Sequence, residues 1–248
     1  MKYVTLSLMA FFSLALAPVL ATQGAEGDGA TIEFHISTNL PVICVKDDKL
    51  DCIAGRLVDR ACAIEGLRYR FIDRPWKRAE EEIVEKNGNT FFLVTGKGDG
   101  GSNIDWFFLI YSDDVWIYSL NPLDSAALAS LGPVGVRRGS PFDRISSQYG
   151  SFNLYSFNDW RSGVMMLQAH RLAAVLATRL VIEANVVRSP VLAERQGYHE
   201  VLGRMGWYIV RDAKAPQSDA ADRFRRGLTA ARSEKWFLEM LASHGLEP

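Results

Sequence analysis

The side chains that could carry bond chemistry in this sequence are scattered. Its four histidines, His35, His170, His199 and His244, lie far apart, and none stands at metal-ligand spacing from another histidine or a cysteine. Neither G-x-S-x-G, which would raise a serine nucleophile on a strand-to-helix turn, nor H-E-x-x-H, which would set two zinc ligands on one helix face, occurs. Glu80, Glu81 and Glu82 take consecutive helical positions and point in different directions, so they read as a solvated surface and not as an acid and base pair. Gly96, Gly98 and Gly101 fit G-x-G-x-x-G after an apolar run. A dinucleotide site needs a helix next, however, and Ser102-Asn-Ile-Asp leads into the aromatic run Trp106–Phe108, which reads as another strand. None of these residues requires an active site, a cofactor or a metal.

Three cysteines, Cys44, Cys52 and Cys62, form the one cluster with a defined chemistry. Cys44 and Cys52 flank a polar turn between two short apolar runs, so a bridge across a hairpin is geometrically reasonable and would contribute about 2–3 kcal/mol. Cys62 falls within a helical pattern, four residues after Val58, and is expected as a buried free thiol. A Cys52–Cys62 pairing stays open from sequence alone.

Disulfides suit the compartment implied by the N-terminus. Lys2 precedes an uncharged apolar run from Val4 to Leu20, and Val19-Leu20-Ala21 approximates an A-x-A cleavage pattern, so residues 1–21 read as a secretory signal. The alternative, a retained anchor, needs a longer span than one that Pro18 interrupts. Cleavage after Ala21 leaves 227 residues carrying 27 basic and 29 acidic side chains, a net charge of −2. That balance is not the profile of a nucleic-acid binder. The length fits one large domain or two lobes of about 100 residues each.

The elements that must position any site alternate along the chain. Leu67, Tyr69 and Phe71 share one strand face, and Pro75 suits the first position of a helix whose Trp76, Ala79 and Ile83 form an apolar stripe. Lys77–Glu81 and Arg78–Glu82 face solvent as pairs four apart. Around this block lie a strand at 32–36, a helix at 55–65 stopped by Gly66, and an apolar run at 91–94. Runs at 106–110 and 115–120 follow, and Asn121-Pro122 breaks the pattern, which places a crossing between lobes there. A second set repeats the logic with strands at 133–137, 152–155 and 173–177 and helices opening near Ser140-Pro141 and spanning 159–170. A strand at 206–210 leads to two closing helices at 219–231 and 233–245. Strands interleaved with helices imply an α/β fold with a mostly parallel sheet. The basic cluster Arg223, Arg225, Arg226 and Arg232 reads as the solvated side of the first closing helix.

In this order, several local motifs resemble the type II periplasmic solute-binding proteins, in particular extracellular solute-binding protein family 3, the receptors of polar amino-acid ABC importers. The motifs are Gly55-Arg-Leu-Val-Asp, Pro75-Trp-Lys-Arg-Ala, Thr95 before a loop ending in Asp105-Trp106, Val134-Gly-Val-Arg-Arg-Gly-Ser140, and Met166-Leu-Gln-Ala-His-Arg-Leu-Ala-Ala-Val-Leu176. The resemblance spans nearly the whole mature chain. It implies two α/β lobes joined by crossing strands, 22–118 with 206–248 forming one lobe and 119–205 the other, closing on a small polar solute in the cleft. It further implies a periplasmic monomer that works with an ABC permease or a sensor protein at the inner membrane, and no nucleic-acid partner.

The resemblance also distributes roles. Trp76 matches an aromatic that covers the ligand, against the alternative of a core anchor on the Tyr69 strand. Thr95 matches a hydroxyl donor at the end of a first-lobe strand, or caps a turn. Arg137, Gly139 and Ser140 match the start of a second-lobe helix, where free N–H groups suit an anion and Ser140 would cap the helix and touch the ligand at once. In amino-acid receptors of this family an arginine after the Thr95-like position grips the ligand carboxylate. Here that alignment lands in Gly98-Asp-Gly-Gly, with Lys97 a point-charge substitute. The second-lobe aspartate for the ligand ammonium is replaced near Thr178, and the first-lobe aromatic is replaced near Asn39. The implied ligand is therefore a small polar molecule other than an α-amino acid bound in the usual mode, or none if the site has decayed.

Overall fold

In a computed structural model, residues 30–38, 41–74, 78, 89–96, 103–145, 147, 149–192 and 195–248 are described. An eight-stranded mixed sheet runs through both halves, in the order β4-β1-β5-β10-β6-β9-β7-β8. In the first lobe β1 (Thr31–Ile36) pairs in parallel with both β4 (Arg68–Asp73) and β5 (Thr90–Thr95). In the second, β7 (Val134–Arg137) pairs in parallel with β8 (Leu154–Phe157) and β9 (Ala174–Thr178). Between them lie β6 (Ile104–Ser119) and β10 (Tyr198–Asp212), antiparallel to each other along their length.

These two strands are the crossing elements. At 16 and 15 residues each spans about 50 Å at the usual rise per residue. The first-lobe halves pair β10 with β5, and the second-lobe halves pair β6 with β9. Sequence alone divides β6 into two runs, because Ser112-Asp113-Asp114 looks like a turn. The structure keeps the strand continuous, with Asp113 opposite Met205 and Asp114 opposite Arg204. The crossing thus lies inside β6, ahead of Asn121-Pro122.

Helices cover the sheet. A hairpin of β2 (Cys44–Lys46) and β3 (Lys49–Asp51), closed by the Cys44–Cys52 disulfide, leads into α1 (Cys52–Glu65). Cys62 is buried and unbridged. Gly66 ends α1 in the left-handed conformation at φ 61°, and the Leu67 N–H reaches back to the Cys62 carbonyl, a helix stop that glycine allows without steric cost. In the second lobe lie the single-turn α2 (Phe142–Ile145), then α3 (Trp160–Gln168), and α4 (Arg179–Ile182), which runs on into a π turn at Glu183–Val187. The chain closes with α5 (Asp219–Arg232) and α6 (Lys235–Ser243) against the first lobe.

Arg225 and Arg226 lie on the exposed side of α5, as expected, but the arginines of this cluster are also bonded to neighbouring elements. Arg225 and Arg232 donate to the carbonyls of Phe107 and Leu109 in β6 at 2.7 and 3.1 Å, and Arg226 bonds the Glu65 carboxylate at 3.1 Å. Arg223 donates to the Glu65 carbonyl. Their long aliphatic stems let the charged heads reach past the helix surface, so the cluster ties α5 to α1 and to a crossing strand. The two helices meet so closely that a Cβ on Gly227 would stand 2.3 Å from the Ala61 carbonyl oxygen. Gly227→Ala is therefore expected to lower the unfolding free energy by about 1–3 kcal/mol through overpacking, despite the better helix propensity of alanine. Urea unfolding followed by circular dichroism checks this, and a variant as stable as the parent would contradict the close approach.

Candidate functional site

Parallel strands in the two lobes point their carboxyl ends at one another, and a cleft of ≈ 960 Å³ opens between those ends. Ligands of open α/β sheets sit outside strand carboxyl ends, where loops replace the ladder and leave polar groups to face solvent. Each first-lobe strand contributes just there: Ser37 and Thr38 after β1, Asp73 and Arg74 at the end of β4, and Thr95 at the end of β5. The facing wall is built from Arg137 to Ser140 after β7, Asn158 and Trp160 after β8, and Thr178 at the end of β9. Trp207, on crossing strand β10, also lines the cleft.

The acids of this cleft already have partners. Asp143 accepts from the Gly139 N–H at 2.8 Å with one oxygen and from the Ser156 hydroxyl with the other. Asp73 accepts from the Thr38 hydroxyl at 3.2 Å. Several donors have none. Among the described residues Ser140 Oγ, Trp160 Nε1 and Trp207 Nε1 are buried without a hydrogen-bond partner, and Trp207 as a residue is only 4% exposed. An indole N–H can only donate, so Trp160 and Trp207 each call for an acceptor that the described residues do not supply. Arg137 and Arg138 form no ion pair among the described residues.

Of the side chains marked by sequence, Thr95, Arg137, Gly139, Ser140 and Thr178 are brought together in this cleft. Asn39, Trp76 and Lys97 lie outside the described residues. Two details differ from expectation. The helix after Ser140 has four residues, too short for a strong dipole, and its first turn is held by Asp143 and not capped by the Ser140 hydroxyl. Thr95 Oγ1 makes only a long contact, 3.5 Å, to the Gly206 carbonyl of β10. Sequence reasoning missed Asp73, Arg74, Arg138, Asn158, Trp160 and Trp207. All but Trp207 stand at or just past the carboxyl end of a parallel strand, and that position was the available signal.

Behind Thr178 lies the polar centre of the crossing pair. Asp113 is fully buried in mid-β6 and accepts from the Leu180 N–H at 3.0 Å, with the Arg179 guanidinium 3.5 Å away. Arg179 also donates to the carbonyls of His244 and Gly245, at 2.6 and 3.2 Å, and pairs with Glu183 at 3.2 Å. Residue 247 closes the arrangement with a bridge to Ser112. Burial pushes the Asp113 carboxyl up to about 6; the Leu180 N–H, Arg179, the Asp114 N–H and the Thr178 hydroxyl oppose it.

No family model and no curated protein matches the chain by sequence. Solved structures match its shape. The substrate-binding protein of an amino acid ABC transporter superposes with a TM-score of 0.68 at 13% identity, over 86% of this chain and 98% of its own. A Salmonella typhimurium periplasmic binding protein with high arginine specificity gives 0.66 at 14% identity, over 87% of this chain and 99% of its own. A histidine kinase sensor domain similar to periplasmic binding proteins gives 0.69 at 14% identity, over 89% and 99%. The chain thus has the two-lobe, type II periplasmic-binding-protein fold.

The raised carboxyl of Asp113 has a measurable sign. The folded protein holds this proton from the ordinary value of 3.8 up to about 6, whereas the unfolded chain has released it. Its contribution to stability is present below that window and is lost as pH rises through about 6. Asp113→Asn removes the titration, so the variant's melting temperature should fall less than the parent's between those pH values. An identical pH slope in the two proteins would show that Asp113 is ionised throughout.

Proposed function

We propose that this chain is an exported binding protein that captures a small polar solute between its two lobes and performs no bond chemistry. The observation that carries the reading is the set of buried donors, Ser140 Oγ, Trp160 Nε1 and Trp207 Nε1, lining one cleft without partners. A buried donor left unsatisfied costs about 1–3 kcal/mol, which a ligand acceptor would recover. Thr95, Arg137, Gly139, Ser140 and Thr178 then form part of the ligand shell, and closure of the lobes about β6 and β10 would desolvate the solute from both sides.

Export rests on the apolar leader at residues 4–20 and on the Cys44–Cys52 bridge, which suits an oxidising compartment. Among the described residues no helix is long and apolar enough to cross a membrane. A monomer in the periplasm delivering solute to an ABC permease is the reading favoured by the likeness to transporter receptors. A second reading, a ligand sensor that signals to a partner, is favoured by the likeness to a kinase sensor domain, which superposes as well.

Purified protein from residue 22 onward, screened against a broad panel of amino acids, organic acids, sugars and polyamines, provides the test. A true ligand at a hundred times its Kd should stabilise the fold by about 2.7 kcal/mol and raise the melting temperature accordingly. It should also reduce the radius of gyration in X-ray scattering and change the tryptophan emission contributed by Trp160 and Trp207. A panel that moves none of these quantities would refute solute capture.

A further inference from the structure

We infer that the solute is a small organic anion, a dicarboxylate or a phosphate ester, gripped at the second-lobe wall by Arg137 and Arg138. This rests on the reading of the cleft as a solute site and names the chemistry that the site would select.

Three observations converge on it. The first is charge: among the described residues the cleft wall carries Arg74, Arg137 and Arg138 against Asp73 and Asp143. Arg137 is half-buried, and it and Arg138 have no ion pair among the described residues, so their charge is available to a ligand. Asp143 has both oxygens engaged by the Gly139 N–H and the Ser156 hydroxyl; it keeps its charge but makes no direct ion pair with Arg137 or Arg138 among the described residues.

The second is the direction of the hydrogen bonds. Guanidinium and indole N–H groups donate and cannot accept, so Arg137, Arg138 and Trp160, with Trp207 on the crossing strand, supply donors only, beside Ser140, Asn158 and Thr178, which can also accept. The complement of those four donors is an acceptor-only group, and carboxylate and phosphate oxygens at neutral pH are that. An ammonium brings three donors and would require an acceptor with free lone pairs. Asp113, the acid behind Thr178, has no exposed side-chain surface and is held by Leu180 and Arg179. Asp73, on the opposite lobe, is exposed with Thr38 on one oxygen and so leaves the other to a donor, away from the Arg137–Arg138 wall.

The third is the carbon-lined part of the cleft. Leu93, Val94, Phe142, Leu176 and Val181 contribute apolar surface, which favours a ligand with a hydrocarbon skeleton over a bare inorganic ion.

Isothermal titration of the mature protein with succinate, glycerol 3-phosphate, inorganic phosphate, L-arginine and L-alanine tests the inference. Succinate or glycerol 3-phosphate should bind, with the tighter of the two reporting whether the acid group is a carboxylate or a phosphate. Affinity should exceed that for inorganic phosphate and fall as salt is raised, since a partly exposed cation pair is screened over about 10 Å at 0.1 M ionic strength. The double variant Arg137→Gln/Arg138→Gln should weaken anion binding at least tenfold. Trp207→Phe keeps the ring and removes the orphan donor, so it should weaken anion binding several-fold without lowering the melting temperature of the unliganded protein, a pattern that a purely structural role would not give. L-Arginine or L-alanine binding in preference to both organic anions would overturn the inference while leaving solute capture intact. Binding of none of the five would overturn the inference outright; the broader solute panel decides separately whether capture itself fails.

Discussion

The arrangement depends on one antiparallel ladder, β6 against β10, carried without a break from the first lobe into the second. A ladder that long would normally twist two lobes into a single rigid body. Here its register slips between Val201 and Gly203, between Trp207 and Tyr208, and between Ile209 and Arg211. Such bulges break the regular pairing and increase the local twist, which gives the strands places to bend. Halfway along, where a hydrophobic strand would ordinarily continue its apolar alternation, the sequence sets Asp113. Because a buried carboxylate must be hydrogen-bonded, this residue fixes the start of α4 through Leu180, and through Arg179 it fixes the carbonyls that follow α6. One polar residue thus holds a second-lobe helix and the C-terminal segment against the same point on the crossing strand.

The cleft shows the opposite choice. Where Asp113 at the crossing is hydrogen-bonded, the cleft leaves Ser140, Trp160 and Trp207 with donors unused among the described residues. In a core this would be a defect, costing stability with nothing in return. Set between facing strand ends, the same groups would, on the proposed reading, serve as preorganised ligand donors, since the sheet and helices that hold them are fixed by packing that does not depend on a ligand. Trp160 shows how: its ring packs edge-on against Phe157, 5.1 Å between centroids, so the N–H is aimed by the core and not by a flexible loop.

Much of the scaffold was legible because it follows local rules. The Leu67–Phe71 alternation, the Gly66 stop and the interleaving of strands and helices each depend on near neighbours in sequence, and the structure places β4, the end of α1 and the parallel pairs accordingly. The continuity of β6 was not legible, because Ser112-Asp113-Asp114 has turn composition and only the distant Leu180 and Arg179 make it tolerable inside a strand. The bonding of the α5 arginines was not legible for the same reason: their acceptors are carbonyls of β6 and the carboxylate of Glu65, more than a hundred residues away. Family pattern pointed to Thr95, Arg137, Gly139, Ser140 and Thr178, which line the cleft, whereas Arg138, Asn158 and Trp160 needed only the rule that residues past a parallel strand face such a cleft. Trp207 follows neither guide, since it comes from the middle of an antiparallel strand and reaches the cleft only because that strand crosses it.

Thr178 joins the two polar systems and explains why they are best considered together. It ends β9, lines the cleft, and stands next to Arg179 and Leu180, the residues that hold Asp113. Its register partner across the ladder is Val115, two residues beyond Asp113. A ligand group drawn to the second-lobe wall would therefore press on a backbone segment whose next two residues are anchored to mid-β6. Side chains packed at interior density transmit such displacements and do not absorb them. If the lobes close as proposed, the register shifts mark where the crossing strands would bend, and residues 178–180 would link contact at the wall to that bend. A conservative change at Asp113 should for that reason alter how readily the lobes close as well as how stable the protein is, even though Asp113 does not line the cleft.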